Sequence, residues 1–433
     1  MLSPSFPEVH LPHLAEVRLP PMLRCRLAHP RGEPVADLED AVDRALAGSR
    51  RLRELPTGAA VAVAVGSRGI AHVDRLARGA VSGLKAMGLE PFVVPAMGSH
   101  GGGTAEGQIA VLAKLGVTEA SVGAPIRAAM ETVEYDATLG GIPCRFDANA
   151  AKADAVVLIA RVKSHTSFDR PIESGLTKMV AVGLGKAEGA RNVHRLGPRG
   201  YTEVLPALAR IALDHAPIAY GIAVVENAHK DLVAIEGVEP EGFAAADERL
   251  LKQAKDLLAR LPFARMDGLI VEVMGKEISG TGMDIAITGR ADIRGIANTG
   301  PFVHKIAVLG LTEDTAGNAV GLGVADFTTR AVANGVDLRA VYMNAITSTM
   351  VEKGRIPVVL PDDLSVIQAL VATCWATDLD SIRLCQIRST LHLGEILVSQ
   401  ALYRDVEGRA EVKRISDPVP LKFAPDGRLL TRC

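Results

Sequence analysis

The sequence predicts an α/β fold: two α/β domains with mainly parallel sheets, flanking a cleft. Three observations carry that prediction. Apolar runs rich in β-branched residues recur along the 433 residues, they are nearly continuous rather than alternating, and helical patterns of longer period separate them. Strands covered on both faces read as such unbroken runs, and regular alternation with helices is what parallel pairing requires of its connections. The length exceeds what one core usually reaches, which gives two domains.

Taken in order, AAVAVAVG from Ala59 is the first central strand, and HVDRLARGAVSGLKAMG from His72 is the helix after it. PFVVPA from Pro91 is the next strand. It runs into Gly101, Gly102 and Gly103, then Thr104, an N-cap for a helix through Lys114. DAVVLIAR from Asp154 and GIAVVE from Gly221 continue the sheet, and EGFAAADERLLKQAKDLLARL from Glu241 is a long amphipathic helix. The rhythm restarts with GLIVEVM from Gly268, KIAVLGL from Lys305 and IPVVLP from Ile356. The boundary therefore falls near Phe263 to Asp267, with an N-terminal catalytic and cofactor-binding domain over 1–265 and a C-terminal domain over 266–433. From Leu393, GEILVSQALY and AEVKRI alternate polar and apolar residues, the pattern of antiparallel strands closing the second domain.

Lys and Arg total 48 against 50 Asp and Glu, a balance that argues against nucleic acid or an anionic membrane as partner. With only 3% aromatic residues, base-stacking platforms are not expected either. The expected ligand is a small molecule. No long apolar window and no signal-peptide pattern stands in the sequence, so a cytoplasmic protein is expected. The five cysteines lack a CxxC pair and read as buried thiols. An oligomer is compatible with all of this.

Three apolar strands run into polar residues at their carboxyl ends: Arg68 in VAVGSRG, His100 in VVPAMGSHGGG and His165 in LIARVKSHTSF. In an open parallel sheet, ligands sit beyond the carboxyl ends of the strands, so the three side chains are expected to converge. Two imidazoles there supply a pair of acid/base groups, and on opposite sides of one substrate carbon they would racemise or epimerise it. Lys178, in the apolar segment ESGLTKMVAVGLGK, has the surroundings of a desolvated, nucleophilic amine. His194 in RNVHRLG is a candidate metal ligand without a second protein ligand at suitable spacing. The plainer readings are hydrogen-bonded structural histidines, a glycine run serving a tight turn, and a lysine snorkelling from a helix edge. Lys163 and Lys186 read as phosphate or surface lysines.

The order GSH with Ser99 and His100, SH with His165, a Gly-rich turn with Lys178, then His194 resembles the nickel-pincer-dependent lactate racemase family, thinly, over most of the chain. The resemblance implies an isomerase: a racemase or epimerase of a 2-hydroxy acid acting by reversible hydride transfer. It implies a nickel-pincer nucleotide, a pyridinium dithiocarboxylic acid mononucleotide holding nickel, joined to Lys178 through a thioamide. His194 would be the nickel ligand, His100 and His165 the catalytic acid/base pair, Ser99 and Arg68 cofactor neighbours, and cofactor-synthesis proteins would be required. Arg68 is expected to hold the substrate carboxylate and Lys276 to touch substrate.

The chain also departs from that family. Val65-Gly66-Ser67-Arg68-Gly69 stands in place of an Asp-x-x-Arg-Pro pattern, and VMGKEISGTGMDIAITGR from Val273 in place of a GGYPKDINLYQ-like loop. Lys276 and Glu277 align there, but the later substrate-contacting pair does not, so a 2-hydroxy acid other than lactate is expected. The Gly280–Asp284 loop, with Arg290 beyond it, would serve a turn or reach a longer substrate. Two other readings stand beside this one: a cofactor-independent acid/base isomerase or lyase on an anionic metabolite, and a non-catalytic metabolite-binding protein. A soluble nicotinamide cofactor is disfavoured, since VGSRGIAH stands where GxGxxG would follow the first strand.

Overall fold

The computed structural model describes residues 2–67, 70–138, 140–165, 170–291, 298 and 300–433. It is a mixed α/β protein whose contacts divide it into two compact units, a central one (Pro30–His165 with Asp169–Leu258) and a terminal one (Met1–His29 with Ala259–Cys433). Strand β1 (Met22–Leu27) belongs to the terminal unit. The central unit holds β2 (Ala60–Val65), β3 (Glu90–Pro95), β4 (Thr132–Ala137), β5 (Pro143–Asp147), β6 (Ala155–Arg161), β7 (Ile218–Glu226) and β8 (Leu232–Val238). The terminal unit continues with β9 (Arg265–Val271), β10 (Phe302–Val308), β11 (Phe327–Thr329), β12 (Val358–Leu360), β13 (Leu384–Ile387), β14 (Glu395–Ser399) and β15 (Val412–Arg414).

The central sheet runs β3-β2-β6-β7-β8, parallel except for β8. In β2, Val61, Val63 and Val65 enter the core shared with Leu76, Ala80 and Leu84 of helix Val73–Ala86. Ala62 and Ala64 are just as inaccessible on the other face. Burial on both faces is why the run carries no polar alternation, and each valine contributes about 1.5–3 kcal/mol relative to exposure. Pro91 and Pro95 lie on β3, at the sheet edge, where a missing N–H is tolerated. Chain order reverses at β2, with β3 on one side and β6 on the other, which opens a crevice at their carboxyl ends.

The terminal sheet runs β12-β11-β10-β9-β13-β14-β1-β15. Strands β9 to β13 pair in parallel, whereas β14, β1 and β15 join antiparallel. Residues before 30 therefore do not belong with the domain that follows them in sequence. Met22↔Ser399 through Arg26↔Glu395 tie β1 to the end of the chain, a pairing no local pattern announces. The GEILVSQALY stretch is a strand only to Ser399; the Ser399 hydroxyl then caps helix Gln400–Arg404.

In the same unit, the Arg290 guanidinium donates to the carbonyls of Val303, Val324 and His304 and pairs with Asp326 at 2.8 Å. It is a structural clamp rather than a substrate arm. Lys276 donates to Asn344 Oδ1 at 2.6 Å. Among the described residues no helix is long and apolar enough to cross a membrane.

Candidate active site

The segments leaving β2, β3 and β6 close around one cavity, lined by Ser67, Ser99, His100, His165, Lys178, His194 and Tyr201 together with apolar side chains. The structure thus brings together His100, His165, Lys178, His194 and Ser99. Arg68 lies outside the described residues.

His100 sits on the loop after β3. Its Nδ1 lies 2.8 Å from the Met97 carbonyl. A carbonyl only accepts, so Nδ1 carries a proton, and in the neutral imidazole Nε2 is then the basic nitrogen. The next turn is built by left-handed glycines, and Thr104 caps helix Ala105–Lys114 by accepting from the Gly107 amide, as its sequence suggests.

Beneath this loop lies Lys186, fully inaccessible rather than a phosphate or surface lysine. Its ammonium pairs with the equally buried Asp147 at 2.8 Å and donates to the Pro95 carbonyl at 2.6 Å and to Gln108 Oε1 at 3.2 Å. Because the ammonium takes Oε1, the Gln108 amide must aim Nε2 at the loop, where it donates to the carbonyls of Gly98 and His100. A buried charge thereby fixes the loop that carries His100.

His165 ends the segment after β6. The Glu173 carboxylate, 2% exposed, accepts from the backbone amides of both His165 and Arg170 and pairs with Lys255 at 2.6 Å. One buried carboxylate thereby ties His165 and Arg170 together. Burial pushes the Glu173 carboxyl up, against the Lys255 ammonium and the amides that hold it down.

Lys178 lies at the end of the short helix Leu176–Lys178 and is followed by a π-helical turn over Met179–Gly183, a feature frequent at functional sites. The helix start is held by Asp247, which accepts from the amides of Leu176 and Thr177 at 2.8 and 2.7 Å. Gly175 is required here: its φ is +91°, and a Cβ would lie 2.0 Å from Asp247 Oδ1. Lys178 Nζ reaches the Glu173 carbonyl at 3.3 Å and lies 5.2 Å from the centroid of the Tyr201 ring.

Tyr201 is the residue that sequence reasoning missed. Its buried ring stacks on His194 at 5.7 Å and 24°, and lies 5.5 Å from the ring of His165. A scarce aromatic two helical turns past His194 was the available signal. Asp247 gave none, because the amides it accepts from lie 71 and 70 residues away, and Glu173 gave none, because the ammonium it pairs with is 82 residues away. Among the described residues no group of three His, Cys, Asp or Glu could hold a metal ion.

Burial raises the Asp247 carboxyl to about 6, although the two amides it caps pull it down. The folded protein then holds a proton that the unfolded chain releases between roughly pH 4 and 6. Stability from this group is greatest at the acid end of that window, falls as pH rises through it, and is flat above. Asp247→Asn is expected to remove that slope, a difference on the order of 3 kcal/mol across the window. Urea unfolding of both proteins at half-unit pH steps checks it; parallel profiles would exclude it.

No family model matches the chain, and no curated protein does. Among solved structures, the lactate racemase apoprotein from Thermoanaerobacterium thermosaccharolyticum aligns with a TM-score of 0.46 and 12% sequence identity, over 79% of this chain and 99% of that one.

Proposed function

We propose that the protein is a racemase or epimerase of a 2-hydroxy acid other than lactate, working with a nickel-pincer nucleotide tethered to Lys178. One observation carries this reading: His100, His165, Lys178 and His194, from separate segments, line a single cavity. The residues fit such a group. Lys178 offers an amine for attachment, His194 a single imidazole donor for a metal otherwise short of protein ligands, and Tyr201 a flat face beside both.

When bound, the group supplies a hydride acceptor and donor for the substrate Cα. The chain's own residues do the rest. His100, whose Nδ1 is engaged by the Met97 carbonyl, offers Nε2 to take the hydroxyl proton, and His165, from the end of β6 across β2, serves the other face of the carbon. Ile70, Met97, Met179 and Val182 give the cavity apolar walls that keep water from the reacting carbon. Arg68 and Ser99 are assigned to the cofactor. Loading requires cofactor-synthesis proteins in the same compartment, taken to be the cytoplasm.

The test is co-expression with pincer-synthesis enzymes, followed by intact mass, nickel analysis and a screen of 2-hydroxy acids for loss of optical purity. A mass increase on the peptide bearing Lys178 is expected, absent in Lys178→Ala, while His194→Ala keeps the added mass and loses nickel. Unmodified Lys178 in protein from the loading host would refute the reading.

A further inference from the structure

We infer that Arg161 is the anion anchor of this cavity and seats the carboxylate of its ligand. Arg161 ends β6, four residues ahead of His165, and lines the same cavity as His100, His165 and Lys178. Its Nη1 is held by Glu226, which ends the neighbouring strand β7 and whose side chain is 4% exposed. Glu226 also accepts from the Ala71 amide and lies 4.0 Å from Lys230 Nζ. A carboxylate shared by two cations and an amide leaves net positive charge at this edge of the cavity.

The ion pair occupies one corner of the guanidinium. Among the described residues, Nε and Nη2 of Arg161 make no hydrogen bond, although the side chain is only 14% exposed. A planar fork held rigid at one end, with further donors uncommitted, is the geometry that binds a carboxylate through two parallel N–H bonds. Lys163, also on the cavity wall, adds charge of the same sign. The fork and both acid/base histidines line one cavity, so a carboxylate seated on it presents the adjacent hydroxyl-bearing carbon to them. Glu226 is a positioning residue, since it fixes the plane of the guanidinium without facing the ligand itself.

The inference deepens the proposed function and rests on it only in taking this cavity as the seat of a 2-hydroxy acid. Its test therefore uses cofactor-free protein. Glycolate and its neutral amide, glycolamide, are titrated into the full chain by calorimetry, with thermal melts of every variant. The wild type is expected to bind glycolate and not glycolamide. Arg161→Lys keeps the charge but not the fork, and is expected to weaken glycolate about tenfold. Removing Arg161 alone strands a buried carboxylate, so the full deletion is made as Arg161→Met with Glu226→Gln, which is expected to fold and to lose glycolate binding. Wild-type affinity in Arg161→Lys, or no preference for glycolate over glycolamide in the wild type, overturns the assignment. Absence of the cofactor from Lys178 would sink the nickel reading while leaving this result in place.

Discussion

Lys186→Met is expected to cost about 3–5 kcal/mol of stability, a large part of what holds a domain folded. The reason lies in its surroundings: lysine and Asp147 are both fully buried, 2.8 Å apart, out of reach of solvent. Without the ammonium, Asp147 keeps only the two amides it caps, those of Asn149 and Ala150. Lys186 also adopts a left-handed φ of +53°, a conformation kept only where surrounding contacts outweigh its strain. The double variant, with Asp147→Asn added, should recover part of the loss, because it removes the stranded charge. Urea titrations of the wild type, both singles and the double give the coupling directly. A loss below about 1 kcal/mol for Lys186→Met would mean that the pair is not buried as described.

Under the proposed function, His100→Ala and His165→Ala should each slow racemisation by the cofactor-loaded protein by about 10²–10⁴-fold. The informative difference lies in the half-reactions. If one imidazole serves each face, each variant still takes the hydroxyl proton from one enantiomer and fails with the other. Single-turnover formation of the keto acid from each pure enantiomer should then show opposite preferences in the two variants. Loss of the same enantiomer in both would leave one histidine as base and the other as a structural residue. Folding of the variants is not at issue in the same way as for Lys186, since His100 is exposed and His165 half-buried.

Much of this site was legible in the chain. VAVGSRG, VVPAMGSHGGG and LIARVKSH each announce a buried strand followed by a turn, and parallel pairing sends all such ends to one edge. His100 and His165 meet for that reason. Thr104 was equally readable, because an N-cap depends on neighbours three residues away.

The two lysines of ESGLTKMVAVGLGK show where local reading stops. Both stand among small apolar residues, yet Lys178 lines the cavity while Lys186 is sealed beneath it. What separates them is the company each finds: Glu173 and Tyr201 for the first, and for the second Pro95, Gln108 and Asp147, the farthest of them 91 residues away. Strand β1 joins the other end of the chain for the same reason. Hydrophobic period and turn chemistry act over a few residues, and they determined the fold class and the strand-end histidines. Burial of a charge, the partner of a strand and the clamp on a loop depend on groups that only folding brings within reach, and the tertiary structure decided those.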